Sequence, residues 1–229
     1  MSSANERELR LKVPPDSLKF RRDKHFSGGL RLQPQLSGVR EEIVENKHVR
    51  AVVHFGDGSE LFLVDPRKFA VVWYGRPEEV MSERYLAGLG PDALTIEQGE
   101  FVERLCAHRG MLKPLLLRQT VVAGLGNYLV DEILWRVRLH PRTKVDGLGR
   151  QQIRRLHTAM RNLLERSIRA GGLSLRDWLN TDGSGGRSHE ILRVYAHGGR
   201  PCMRCRTSIV RIVVGGRGTY VCGNCQKYA

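Results

Sequence analysis

Residues 202–225 read Cys202-Met203-Arg204-Cys205-Arg206-Thr207-Ser208-Ile209-Val210-Arg211-Ile212-Val213-Val214-Gly215-Gly216-Arg217-Gly218-Thr219-Tyr220-Val221-Cys222-Gly223-Asn224-Cys225. Two Cys-x-x-Cys pairs with sixteen residues between them are the spacing of a tetrahedral zinc site, each pair supplying two thiolates from one tight turn. The β-branched run at 208–214 and Thr219-Tyr220-Val221 flank Gly215-Gly216-Arg217-Gly218, which predicts a β-hairpin with an arginine at its tip. So small a ribbon buries little core, so one structural Zn²⁺ held by Cys202, Cys205, Cys222 and Cys225 is expected to supply its folding energy. Two disulfides are the alternative. Nothing resembling a signal peptide stands ahead of the cysteines to imply an oxidising compartment, which favours the metal. The fifth cysteine, Cys106, lies in an apolar helical stretch and is expected to be a buried thiol.

Charge says what such a ribbon is for. The 229 residues carry 38 Lys+Arg against 24 Asp+Glu, a net charge of +14. The first 99 residues hold 15 of each sign, so residues 100–229 hold 23 basic and 9 acidic residues and with them the whole excess. A local excess of that size attracts polyanions and steers their association, and together with the ribbon it points to nucleic acid. A membrane partner is not expected. No apolar run approaches a spanning length, and the basic residues do not lie on a terminal helix with a Trp/Leu face.

The chain is long enough, at 41% hydrophobic residues, for two unequal domains plus the ribbon. Val49-Arg50-Ala51-Val52-Val53-His54-Phe55 and Leu61-Phe62-Leu63-Val64 flank Gly56-Asp57-Gly58-Ser59, a hairpin signal, with further strand candidates at Leu30-Arg31-Leu32 and Val71-Val72-Trp73-Tyr74. Residues 1–23 are polar and charged, and no element is expected there. From about residue 97 the period becomes helical. Val130, Ile133, Leu134 and Val137 recur at i, i+3, i+4, i+7 behind Asn127 as the expected cap, with His140-Pro141 as the stop. Ile153, Leu156, Met160, Leu163 and Leu164 line one face of a second long helix, with Arg154, Arg155, Arg161 and Arg166 elsewhere on it and Gly171-Gly172 as its end. Residues 88–91 are the expected hinge, and residues 182–188 a loop with a basic tip. The expected class is α+β, with a shortened β-rich domain over 1–90, a helical domain over 91–195 and the zinc ribbon over 196–229.

Gly124-Leu125-Gly126-Asn127 precedes the first of these helices, and glycines there let the backbone approach a phosphate at a helix start. That motif, residues 121–127 continuing to His140-Pro141, Ala170-Gly171-Gly172 and then the zinc ribbon, occur in one order. This order resembles the helix–two-turns–helix and zinc-finger region of the formamidopyrimidine-DNA glycosylases of the Fpg/Nei superfamily, most closely after Lys113. Upstream, Asp65-Pro66-Arg67-Lys68-Phe69 resembles the family's intercalating loop, so Arg67 and Phe69 are expected to fill the gap left by an everted nucleotide. Leu36, in Gln35-Leu36-Ser37-Gly38, stands at the family's other wedge, usually methionine. The resemblance further implies DNA contacts from His48, His108, Arg109 and Asn127. It implies catalytic roles for Lys24, in Arg21-Arg22-Asp23-Lys24, and for Arg217, on the family arginine that reaches the lesion's phosphates. Residues 182–195 match the family's flap over an oxidised purine.

The implied partner is double-stranded DNA with oxidised purines or abasic sites, met by a monomer in the bacterial cytoplasm at the nucleoid. One part of the family pattern is not found in this sequence. The family's nucleophile is an N-terminal proline followed by glutamate, and this sequence opens Met1-Ser2-Ser3-Ala4-Asn5-Glu6. Three expectations follow: a chain whose true start lies upstream and which is a glycosylase and AP lyase; a binder of abasic or distorted DNA that excises nothing; or a lyase using the Ser2 or Lys24 amine. A generic zinc-ribbon nucleic-acid module is the remaining alternative.

Overall fold

The computed structural model describes residues 10–12, 29–33, 47–54, 60–64, 77–82, 84–172 and 185–229, and the chain divides into two compact units. One unit comprises Met1–Tyr74 with Gly171–Arg187, the other Gly75–Ala170 with Ser188–Ala229.

The first unit carries an antiparallel sheet of β1 (Arg10–Lys12), β2 (Gly29–Gln33), β3 (Val49–His54) and β4 (Glu60–Val64) in the order β1-β3-β4-β2. The register sets Leu63, which is buried, between Leu30 on β2 and Ala51 on β3, with a shift between Val49 and Ala51. β-Branched residues at 49 and 52 suit this pleated, half-buried surface. β1 corrects the expectation that residues 1–23 hold no element: Leu11 pairs with Val53 of β3. Three residues with one apolar side chain between two cations are too few for alternation to register. The expected turn at 56–59 and the strand at 71–74 lie outside the described residues.

The second unit is helical. Short helices α1 (Pro77–Ser82) and α2 (Arg84–Ala87) lead to α3 (Gln98–Cys106), α4 (Leu112–Leu116), α5 (Asn127–Val137) and α6 (Arg150–Arg169). α6 buries Ile153, Leu156, Met160 and Leu163 against α5 and α3, meeting Phe101, Val102, Leu105, Val130, Ile133 and Leu134 in one core. Each such side chain contributes about 1.5–3 kcal/mol on leaving water. His157, on the same face, bonds the Ile96 carbonyl at 2.9 Å and packs against Phe101. Gln152 Oε1 accepts the Gly149 N–H at 2.9 Å to open α6, and Gly171 and Gly172, with φ 73° and 83°, follow its end.

Three local expectations change. α5 stops at Val137 because Arg138 takes a left-handed conformation (φ 63°), with its N–H returned to the last turn, so the helix has ended before His140-Pro141. Residues 88–91 are bonded to the turn after α4, through Gly90 N to Gln119 O at 2.8 Å and Ala123 N to Pro91 O at 2.9 Å. A Cβ on Gly90 would stand 2.7 Å from Val121 backbone atoms, so that stretch is a packed contact within the unit. Cys106 is exposed, because Phe101, Val102 and Leu105 take the core face of α3 and residue 106 falls one step round it.

The ribbon, β5 (Val210–Val214) and β6 (Arg217–Val221), is joined by Gly215-Gly216, both at positive φ (56° and 74°), the two-residue turn that matches strand twist. It has a small core of its own with α5: Trp135, Val194, Cys202, Ile209 and Cys222. No helix among the described residues is long and apolar enough to cross a membrane.

Candidate nucleic-acid interface

Gly126 is the N-cap of α5, in extended backbone, and Asn127 is its first helical residue. The cap expected from Asn127 is therefore not made. Its amide donates instead through Nδ2 to Gly218 O of the ribbon at 2.9 Å, while Oδ1 is buried with no partner. No side chain caps the helix, so N–H groups of its first turn keep their capacity for an anion. The turn leading there is held by Gln119, which accepts the Gly124 N–H at 2.9 Å and donates to Leu125 O at 3.0 Å. Gly124 sits at φ 91°, where a side chain would be strained.

A buried ion pair fixes the ribbon to the helices. Lys113 of α4 and Asp131 of α5 are both fully buried, with Nζ and Oδ1 2.5 Å apart. Lys113 also donates to Thr219 Oγ1 at 2.7 Å and Gly218 O at 3.3 Å, and Asp131 Oδ2 accepts the Tyr220 N–H at 2.9 Å. The hairpin turn lies against α4, since a Cβ on Gly215 would meet Pro114 Cγ at 2.7 Å. Three consecutive ribbon residues, 218–220, are thus gripped by Lys113, Asn127 and Asp131. Arg217, one residue before them, is exposed. Burial raises the Asp131 carboxyl to about 6, against the pull of Lys113, and burial lowers the Lys113 ammonium.

The next residue of α5 holds a second segment. Glu132 Oε1 accepts the backbone N–H groups of Arg193 (2.7 Å), Val194 (2.7 Å) and Tyr195 (3.0 Å), and Oε2 accepts Arg136 Nη1 at 2.6 Å. The Tyr195 ring then meets Tyr128 and Tyr220 edge-on, at 6.1 and 5.3 Å between centroids.

At the far end of the ribbon the four thiols converge. Cys202 and Cys225 Sγ are 3.9 Å apart, Cys205 and Cys222 Sγ 3.4 Å, and all four lie within 4.8 Å of one another. A tetrahedral zinc with Zn–S of about 2.3 Å has sulfur–sulfur edges of about 3.8 Å. A disulfide needs about 2.05 Å, so these sulfurs are placed for a metal. Cys225 N donates to Cys222 Sγ at 3.4 Å, within the second cysteine turn. Hydrogen bonding to Thr207 holds the Cys205 thiol down at about 5, while burial pushes Cys225 up to about 12; a divalent cation would bring all four to the thiolate form. Arg204, inside the first cysteine pair, lies 3.7 Å over the Trp135 ring and donates to the carbonyls of Trp135 (2.5 Å) and Arg136 (3.2 Å), satisfying the C-terminal end of α5.

Of the residues singled out by sequence, Asn127, Arg217, His108, Arg109 and the four cysteines belong to the helical unit. The contact at Gly218 brings the start of Asn127's helix and the base of Arg217 together, and the cysteines close on one another. His108 is half-buried with Nδ1 2.7 Å from Arg104 O, and Arg109 beside it is exposed. His48 stands half-buried at the turn into β3, in the other unit. Lys24, Leu36, Arg67 and Phe69 lie outside the described residues. Lys113, Asp131, Glu132 and Arg204 were not singled out. A lone lysine within Met111-Leu112-Lys113-Pro114-Leu115-Leu116 was the one available signal; Asp131 and Glu132 read simply as the polar face of α5.

Residues 88–178 match the family model described as the formamidopyrimidine-DNA glycosylase H2TH domain, and residues 199–227 the one described as the zinc finger found in FPG and IleRS. The formamidopyrimidine-DNA glycosylase of Latilactobacillus sakei is 39% identical over 204 residues, covering 86% of this chain and 72% of its own length. The chain belongs to this family. Among solved structures, the MutM (FPG) protein of Thermus thermophilus is similar with a TM-score of 0.75 and 33% identity, over 89% of this chain and 74% of that one. The Lactococcus lactis Fpg in complex with DNA containing an abasic site gives 0.76 and 32%, over 87% and 72%. The α+β architecture, with helix–two-turns–helix and zinc-finger parts, and the single structural zinc of the glycosylase family therefore hold for this chain.

Proposed function

We propose that this chain recognises damaged duplex DNA and serves base-excision repair as a formamidopyrimidine-type glycosylase and AP lyase acting on oxidised purines. The observation that carries the reading is the 2.9 Å bond from Asn127 Nδ2 to Gly218 O. It joins an uncapped helix N-terminus to the base of an exposed arginine, across 91 residues of sequence. Two phosphate-binding devices, backbone N–H groups with a helix dipole and a guanidinium, then act on one strand of DNA. His108, Arg109 and His48 add contacts to the DNA backbone, and Leu36, Arg67 and Phe69 support the gap left by the everted nucleotide. Lys24 and Arg217 are the cations at the reaction centre. The protein works as a monomer on the chromosome, in the cytoplasm.

Zinc held by the thiolates of Cys202, Cys205, Cys222 and Cys225 would have no open position for water and would supply structure alone. Borohydride trapping tests the catalytic part. Incubation with duplex containing an oxidised purine, or an abasic site, should leave a protein–DNA covalent adduct after reduction, because an imine forms between a protein amine and the sugar. Tight binding to an abasic analogue with no adduct on either duplex would reassign the chain to lesion binding without excision.

A further inference from the structure

α6 carries more positive charge than the proposed clamp uses. Its twenty residues include six arginines and a single acid, Glu165. Arg150 is paired with Glu103. Arg154, Arg155, Arg166 and Arg169 are exposed, Arg161 is half-exposed, and among the described residues none of these five forms an ion pair. At about 100° per residue, Arg155, Asn162, Arg166 and Arg169 fall in a stripe about 60° wide, with Arg154 and Arg161 beside it. The stripe is about 21 Å long at about 1.5 Å per residue. Alongside duplex DNA that length faces roughly six base pairs, with a charge every 1.7 Å or so.

Solubility alone favours interspersed signs on a surface helix, and like charges at i, i+3 or i+4 weaken a helix by about 0.2–0.5 kcal/mol each. A partner with regularly spaced negative charge offsets that cost. The stripe also faces away from the clamp. β6 packs on α5 through Asp131, whereas α6 packs on α5 and α3 through Ile153, Leu156, Met160 and Leu163, so α5 stands between ribbon and α6.

We propose that the outer face of α6 is a second DNA-binding surface. It takes the phosphate backbone of a duplex segment other than the one held by Asn127 and Arg217, so that one protein molecule bridges two stretches of DNA. This rests on the reading that the chain binds duplex DNA. Bridging of this kind lets the protein pass from one segment to another without full release.

The test uses full-length, zinc-loaded protein on an immobilised abasic-analogue duplex, with capture of a second, fluorescent, undamaged duplex as the signal. In the variant R154Q/R155Q/R166Q/R169Q, capture of the second duplex should fall at least about tenfold, and its log–log salt slope should flatten by roughly three to four, as expected for four lost phosphate contacts. Affinity for the first duplex should stay within about threefold, and zinc content and melting should not change, since Gln is a good helix former at exposed positions. The matching Arg→Lys set should capture like the parent. Equal capture by the Gln variant, or equal weakening of both duplexes, overturns the proposal. So does displacement of the second duplex by single-stranded RNA or an acidic peptide at lower concentration than by duplex DNA. Parent protein that captures undamaged duplex while ignoring the abasic analogue would refute the proposed function and leave this surface standing.

Discussion

Lys113 and Asp131 face each other with no access to water, and the cost of that is visible in the carboxyl, which burial raises to about 6. A carboxylate whose folded pKa is raised makes the folded state bind the extra proton between the unfolded value, near 3.8, and 6. Stability therefore falls as pH rises through that window, by at most about 2–3 kcal/mol at about 1.4 kcal/mol per pH unit. Asp131→Asn should remove this slope between pH 4 and 6, read by denaturant unfolding. A slope the same in both proteins would place the titration elsewhere. The charge on Asp131 is thus kept for position: it fixes the Tyr220 N–H and orients the Lys113 ammonium onto Gly218 and Thr219. Arg217 stands one step beyond and carries none of that framework. Arg217→Ala should weaken binding to an abasic-analogue duplex by about 1–3 kcal/mol and lower the salt slope by about one, with zinc stoichiometry intact. Zinc loss in that variant would show the arginine to be structural.

α5 is the element that organises everything around it. Val130, Ile133 and Leu134 enter the helical core, Asp131 grips the ribbon, Glu132 grips the backbone of residues 193–195, and the last turn is closed by Arg204 from the cysteine turn. Its apolar stripe and the hairpin with its glycine turn were legible because they depend on periodicity and turn chemistry within a few residues. The zinc ligands were legible because metal geometry constrains spacing. The grip on the ribbon was not legible. It pairs residue 113 with 131 and 219, and a buried carboxylate and a solvated one are the same letter. The absent side-chain cap at Asn127 has the same origin: the helix takes Gly126 as its N-cap, and the Asn127 amide, one position inside, turns its Nδ2 to Gly218 O, 91 residues away. A cycle of variants weighs the ion pair. Lys113→Met leaves Asp131 buried without a partner and should cost about 3–5 kcal/mol, while K113M/D131L, an apolar pair of similar volume, should recover most of it. Additive losses in the double variant would mean that the two residues act independently.

Across the whole chain, opposite charges balance in the first 99 residues and the +14 resides in the rest, so attraction to DNA is a property of the part that carries the helical core and ribbon. Two different forces hold that part together. The helical core rests on buried aliphatic side chains, whereas the ribbon's small core is lined by its own cysteines. Removing zinc with a chelator should therefore collapse affinity for damaged duplex while leaving most of the helical circular dichroism, and undiminished affinity of metal-free protein would break the link between ribbon and clamp. Cys106, surfacing at the end of α3, gives that experiment its own gauge. With four sulfurs committed to a cation, a thiol reagent finds one fast-reacting group per molecule; once the cation is stripped it finds five. The protein thus reports its own metal occupancy by simple titration.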